Sequence, residues 1–306
     1  MGFELLYWAP FVQWFQSRWG VDGRRLVIVS RGGVAHWYGI DDARYVDILA
    51  MVSPDVFRAR TDPDEHKQRT VLPFDRELVE LVARTLTLDA PPLLHPELMY
   101  RILAPFWRDE EGVGLIDRFT IYRQLHVGVG FSRPFVGALP PDYVAVRFYF
   151  SDCFPETRDN RELVRSLVCG LSRSMPVVML TSGLRMDDHA EYAQPEMSNV
   201  LLLPGNMPAE ENLAVQSAVV AGARGFVGTY GGYSYLAPFH GVPSVAFYSH
   251  RTFKMHHLHL AQRVFERLGG PGVIAVDTAQ APLVHAATAA FTANRVGPDH
   301  AVPGRP

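Results

Sequence analysis

From residue 143 onward, short apolar runs alternate with longer amphipathic ones, and that alternation leaves few folds open. Strands are expected at 143–150, 176–181, 199–203, 225–228, 244–248 and 272–276, and helices at 158–173, 210–222, 231–240, 255–268 and 281–293. The strands are apolar on both faces, which suits a sheet covered by helices on both sides. The carboxyl-terminal half reads as a doubly wound parallel α/β sheet, a design that binds ligands outside the carboxyl ends of its strands. The informative residues follow each strand: Arg147 to Phe154, Thr181 to Leu184, Gly205 and Asn206, Thr229 to Gly232, and Tyr248 to His250.

The first half is less regular. Glu4 to Arg18 places apolar side chains around much of a helix that Gly20 ends. "RRLVIVSRGG" gives a buried strand, Leu26 to Ser30, and a glycine turn. "YVDILAMVSPDVFRAR" reads as a second strand, then a helix capped by Ser53 with Pro54 at its first position. Helices follow at Asp75–Leu86 and His95–Arg108, whereas 110–140 shows no clear period. Pro140 and Pro141 stiffen "GALPPDY" and mark a boundary. The expected organisation is an amino-terminal α/β domain over 1–139, a second domain over 140–293 and a flexible tail over 294–306, rich in glycine and proline.

The 306 residues are 48% hydrophobic and 20% charged, enough apolar matter to bury a core in each half. A net charge of -3 without a basic cluster argues against nucleic acid as a partner. Cys153 and Cys169 lack metal or disulfide spacing, which fits a reducing, cytoplasmic setting. No run reaches the roughly 18 apolar residues of a transmembrane segment. The opening "MGFELLYWAPFVQWFQSRWG" is broken by Glu4 and lacks a basic leader, so it reads as an aromatic helix rather than a signal peptide.

The stretch "FVGTYGGYSYLAPFHGVPSVAFYS", 226–249, sets Gly231 and Gly232 between a strand and a helix. Glycines there leave the helix's first N–H groups open, and the helix dipole favours an anion such as phosphate. The plainer account is a tight strand-to-helix turn. Thr229, Tyr230, Tyr233, Ser234 and Tyr235 supply hydroxyls and flat rings suited to a nucleotide or sugar. Neither Lys67 nor Lys254 follows a Walker loop's spacing. "GVGLID" and "GVGFSR" lack the third glycine of a dinucleotide fingerprint, and "GYSYL" lacks the closing glycine of a hydrolase elbow. What is left is a nucleotide diphosphate held without those loops.

"VAVRFYFSDCFPETRDNRELVRSL", "PVVMLTSGL", "NLAVQSAVVAGARGFVGTYGGYSYLAPFHGVPSVAFYS" and "HHLHLAQRVFERLG" together resemble the donor half of a GT-B glycosyltransferase. More narrowly, the chain resembles a group of uncharacterised bacterial glycosyltransferase-like proteins, and more distantly the fucosyltransferase-like branch. It covers 140–276 in detail and the first half loosely. The resemblance implies two Rossmann-like domains, acceptor-side first and donor-binding second. It implies transfer of a sugar from a nucleotide-diphosphate sugar, with no cofactor beyond that donor, to a glycan, lipid-linked or small-molecule acceptor. In that branch an arginine ending the first donor-domain strand meets the diphosphate, and Arg147 matches it. The guanidinium fork suits phosphate oxygens; the bland alternative is an ion pair with a carboxylate such as Asp152. On the resemblance, Gly231 and Gly232 would complete the phosphate grip, and Ser182 and Gly183 would lie under the base or ribose. Helix dipole plus arginine can replace a metal in stabilising the leaving group.

"TDPDE" holds a DxD pair, Asp62 and Asp64, but a proline intervenes and no buried strand precedes it, so no metal is expected there. In "MHHLHL" only His256 and His259 share a helix face, and a solvated or interdomain role is expected. The base that deprotonates the acceptor should come from the first half. Glu4 and His36 are the candidates, with His36 as a packing residue equally open. In the resembling proteins a strand and a glycine-bearing loop precede the helix that "GFELLYW" begins, so either the first domain lacks its first strand or the start is misplaced, and the two readings are equally open. Two rival activities remain: a non-catalytic nucleotide-sugar binding protein and a nucleotide-sugar epimerase.

Overall fold

A computed structural model of the chain describes residues 1–61, 68–126, 139–181, 183–184, 190–192, 197–204, 207–250, 255–280, 282–284, 286–287 and 289. The tail over 294–306, the DxD pair and Ser182 lie outside the described residues, as do Gly205 and Asn206. A π-helical turn, Glu4–Trp8, leads into helix α1, Ala9–Trp19. Its cause is Pro10: with no N–H to donate, it leaves the Leu6 carbonyl free, and the Tyr122 hydroxyl fills that place at 2.7 Å.

Strand β1, Val27–Ser30, is followed by α2, Ala35–Tyr38, and then by β2, Arg44–Asp47, which pairs with β1 in parallel. Helices α3, Pro54–Arg60, α4, Pro73–Leu86, α5, Pro96–Trp107, and α6, Gly114–Phe119, follow in the first half. The Ser53 hydroxyl caps α3 by accepting from the Val56 N–H. Helix α6 falls in the stretch where the sequence shows no period. Its six residues are too few to display one.

The second half runs β3, Val144–Arg147; β4, Tyr149–Phe150; α7, Arg158–Ser174; β5, Val177–Met179; β6, Ala190–Glu191; and β7, Val200–Leu202. It continues with α8, Asn212–Ala221; β8, Gly225–Thr229; α9, Gly232–Phe239; β9, Ser244–Tyr248; α10, Met255–Arg267; and β10, Val273–Asp277. Described residues 282–284, 286, 287 and 289 are also helical. Six strands form one parallel sheet in the order β10-β9-β8-β3-β5-β7. The half is a doubly wound α/β sheet whose order reverses between β3 and β8.

One expectation is corrected. The strand expected over 143–150 is two strands, because the chain leaves the large sheet at Phe148 and β4 pairs instead with β6, antiparallel. The ladder between β3 and β8 ends at Arg147 and Gly228. Beyond it the Thr229 hydroxyl accepts from the Tyr149 N–H at 3.0 Å and donates to the Tyr149 carbonyl at 2.8 Å. A side chain thus replaces the ladder.

Alternate strand residues feed two cores, one on each face of the sheet. Val144, Val146, Val177 and Val227 pack with α7 through Val164 and Leu171. Ala145, Val178, Phe226 and Ala246 share the other core with Leu5, Phe11, Leu103 and Ile116 from the first half. That core crosses position 140. A backbone bond from Leu125 to Phe239 and a Trp37 Nε1 to Ser217 bond of 3.1 Å follow the same crossing.

Leu236, in α9, is 0% exposed. Its replacement by alanine is expected to cost about 2–5 kcal/mol in urea unfolding. Ile274, on the edge strand β10 and 59% exposed, should tolerate alanine within about 0.5 kcal/mol. Equal losses at both positions would contradict this placement of the core.

Candidate functional site

At a reversal of strand order the flanking loops leave in opposite directions and open a crevice at the carboxyl edge. Arg147 ends β3 and Gly231 follows β8, so both stand at that reversal, on the same edge. The strands press closely there: a Cβ on Gly228 would fall 2.1 Å from the Arg147 carbonyl oxygen.

The Arg147 guanidinium lies 4.2 Å from the ring centre of Tyr233. Nη1 donates to Gln216 Oε1 at 2.5 Å and to the Tyr233 hydroxyl at 3.0 Å. Nη2 donates to Glu191 Oε1 at 2.6 Å, while Nε is buried with no hydrogen-bond partner. Tyr233 donates to the same Gln216 oxygen at 2.7 Å. The ion pair weighed from sequence is formed, but with Glu191 rather than Asp152. Glu191 arrives on β6, and β4 meets β6 only because the chain turns off the large sheet.

Most hydroxyls expected around a phosphate turn inward. Thr229 serves the Tyr149 backbone. Ser234 caps its own helix, accepting from the Gly231 N–H at 3.2 Å and donating to the Gly231 carbonyl at 2.7 Å. Tyr235 donates to Tyr230 at 2.5 Å. Burial pushes both phenols up, that of Tyr230 to about 12. Tyr233 differs by reaching Arg147.

The mouth of α9 is covered rather than open. A Cβ on Gly231 would stand 1.9 Å from the Tyr149 hydroxyl, and one on Gly232 would stand 2.8 Å from the Gly2 nitrogen and 3.1 Å from the Met1 side chain. Both glycines are therefore required by protein packing. The helical stretch opening at Gly2 and the amino end of α9 meet here. Two helix amino ends in contact make the local field positive.

Glu4 sits in the π-helical turn just after Gly2, where Oε1 accepts from the Ser30 hydroxyl at 2.6 Å and the Tyr38 hydroxyl at 2.9 Å. Burial, then the Glu4 charge, drives the Tyr38 phenol well above its ordinary value, so Tyr38 remains a donor. Single π turns recur at functional sites because they re-aim a side chain.

His36 is elsewhere. Its ring lies 6.0 Å from that of His240, at the carboxyl end of α9, the end opposite Gly232. Burial lowers both imidazoles from 6.5 to about 4; His36 and His126 add to the effect on His240. His36 is a packing residue in this arrangement. Gly183 turns with φ +58°. His257 Nδ1 lies 2.5 Å from the Tyr7 hydroxyl, and His256 meets Phe106 edge-on, so these two histidines join α10 to the first half. His259 is exposed.

Three residues of the site escape the sequence reading. Gln216, 0% exposed, had a signal, being an amide inside the apolar run "LAVQSAVVA". Glu191 had none, and Tyr149, though inside the informative segment Arg147 to Phe154, was given no role of its own, because both roles depend on where β4 goes.

No protein-family model matches the chain, and no curated protein matches it. Among solved structures it is similar to the glycotransferase of kitacinnamycin, at 14% identity and a TM-score of 0.37, over 94% of this chain and 87% of that one. It is also similar to E. coli heptosyltransferase WaaC with ADP, at 13% identity and a TM-score of 0.31, over 74% of this chain and 59% of that one. Among the described residues no helix is long and apolar enough to cross a membrane.

Gly231→Ala should destabilise by driving Cβ against the Tyr149 hydroxyl, and Tyr149→Phe in the same chain should recover part of the loss. A double-mutant cycle should show coupling above about 0.5 kcal/mol; strict additivity would contradict the contact. The imidazoles make a separate prediction. Between about 6.5 and about 4 the unfolded chain binds more protons than the folded one, so stability rises with pH across that window. The melting temperature should fall as pH drops from the upper value to the lower, and His36→Phe should flatten the slope. An unchanged slope would place these rings in water.

Proposed function

We propose that this protein is a glycosyltransferase that moves a sugar from a nucleotide-diphosphate donor to an acceptor hydroxyl, without a metal. The observation that carries the proposal is the Arg147 guanidinium, at the strand-order reversal, with a buried Nε–H that has no partner. A buried donor on a charged group left unbonded is costly, and a phosphate oxygen suits it. The paired helix amino ends at Gly2 and Gly232 add positive potential alongside. Because the α9 mouth is covered, the diphosphate binds along the arginine rather than in the mouth, and Tyr233 fixes the plane of the fork. Gly183 lies at the nucleoside end.

In the proposed step the acceptor oxygen bonds to the anomeric carbon as the bond from that carbon to the diphosphate oxygen breaks. The acceptor proton passes to Glu4, and the charge left on the diphosphate meets Arg147. Removing one such donor from a preorganised site costs roughly 100-fold to 1,000-fold in rate. The acceptor is a glycan, a lipid-linked sugar or a small molecule. A second reading, nucleotide-sugar binding without transfer, is favoured by Met1 and Gly2 lying over Gly232.

The deciding experiment is a thermal-shift screen of UDP, GDP, ADP and dTDP, followed by transfer assays with their sugar conjugates. A ligand at 100 times its Kd should stabilise by about 2.7 kcal/mol, and Arg147→Ala should abolish that shift. Turnover supports the transferase, interconversion of sugars an epimerase, and binding without turnover the second reading. A full shift in Arg147→Ala, or no shift with any nucleotide, would end the proposal.

A further inference from the structure

The hydrogen bonds around Arg147 are lopsided. Nη1 is doubly engaged by Gln216 and Tyr233, and the guanidinium carbon lies 4.2 Å from the centre of the Tyr233 ring. Its other edge, Nε with Nη2, is the one that grips a carboxylate or phosphate with two parallel bonds. There Glu191 supplies one oxygen to Nη2 alone, and Nε is left unbonded. Arg147 is held in place, its side chain 11% exposed, whereas that of Glu191 is 32% exposed and sits on the two-residue strand β6. Of the three side chains bonded to Arg147, Glu191 is the most exposed.

We infer that Glu191 is a displaceable counter-ion and the residue that sets which anions this site accepts. The ligand's phosphate takes the Nε–Nη2 edge by displacing the carboxylate. A monoanionic carboxylate could also reach both donors, but it brings no more charge than the Glu191 it would displace. A pyrophosphate group brings more charge and can fill both donors, so the exchange selects for it. This inference rests on the diphosphate reading above. Glu191 in the bound state is a like charge beside the ligand, and such neighbours weaken binding.

The test measures inorganic pyrophosphate, UDP, GDP, ADP and dTDP by calorimetry on the wild-type chain, Glu191→Gln, Glu191→Ala and Arg147→Lys. Both Glu191 variants should bind pyrophosphate roughly tenfold more tightly, the equivalent of about 1.4 kcal/mol, and should bind acetate measurably where the wild type does not. Arg147→Lys should lose the pyrophosphate site. Unchanged or weaker pyrophosphate binding in both Glu191 variants, with nucleotides still bound through Arg147, would overturn the inference and leave the transferase reading standing. Weaker nucleotide binding with unchanged pyrophosphate binding would make Glu191 a ribose ligand and also overturn it. No binding of any of these ligands by the wild type or either Glu191 variant would overturn both readings.

Discussion

Where β3 and β8 stop pairing, one threonine hydroxyl takes over two backbone groups of Tyr149, accepting from its N–H and donating to its carbonyl. A hydroxyl can do both at once, and an isosteric valine could do neither. The consequence is a change of direction. Phe148 leaves the parallel sheet, β4 pairs with β6, and three groups then converge: the Tyr149 hydroxyl on Gly231, Glu191 on Arg147, and Tyr233 on the same guanidinium. The site follows from a sheet edge that ends early.

The electrostatics of that edge are set by crowding. A guanidinium with little exposure and two helix amino ends in contact concentrate positive potential within a few residues. The carboxylates nearby are each engaged, Glu191 by Arg147 and Glu4 by two hydroxyls. Burying a charge is tolerable only when it is paired and bonded. The pairing here is strong at Nη1 and incomplete at Nε, which makes the region chemically responsive rather than inert.

The doubly wound half was legible because its strands are continuous apolar runs and its helices are long enough to show a period. Val144 to Val146 and Phe226 to Val227 are wholly buried, as their sequence suggests. Arg147 stood out as a charge at the end of such a run. What the sequence hid were events decided at a distance. Nothing in "FYF" says that the strand breaks at Phe148, since the cause is Thr229, eighty positions on. The glycines at 231 and 232 were read as room for a ligand, yet the residues that need the room are Tyr149 and Gly2. His36 looked like a base because it follows a strand; its surroundings, His240 and an apolar wall, become visible only when α9 is laid beside α2.

The shared core on one face of the sheet has a mechanical consequence. Leu5, Phe11 and Ile116 interleave with Phe226, Leu236 and Phe265 across the chain's midpoint, so swinging one half away from the other like a clamshell would wet a large apolar surface. The joint at Pro140 and Pro141 is therefore bridged by a common apolar core, and it works as a weld rather than as a pivot.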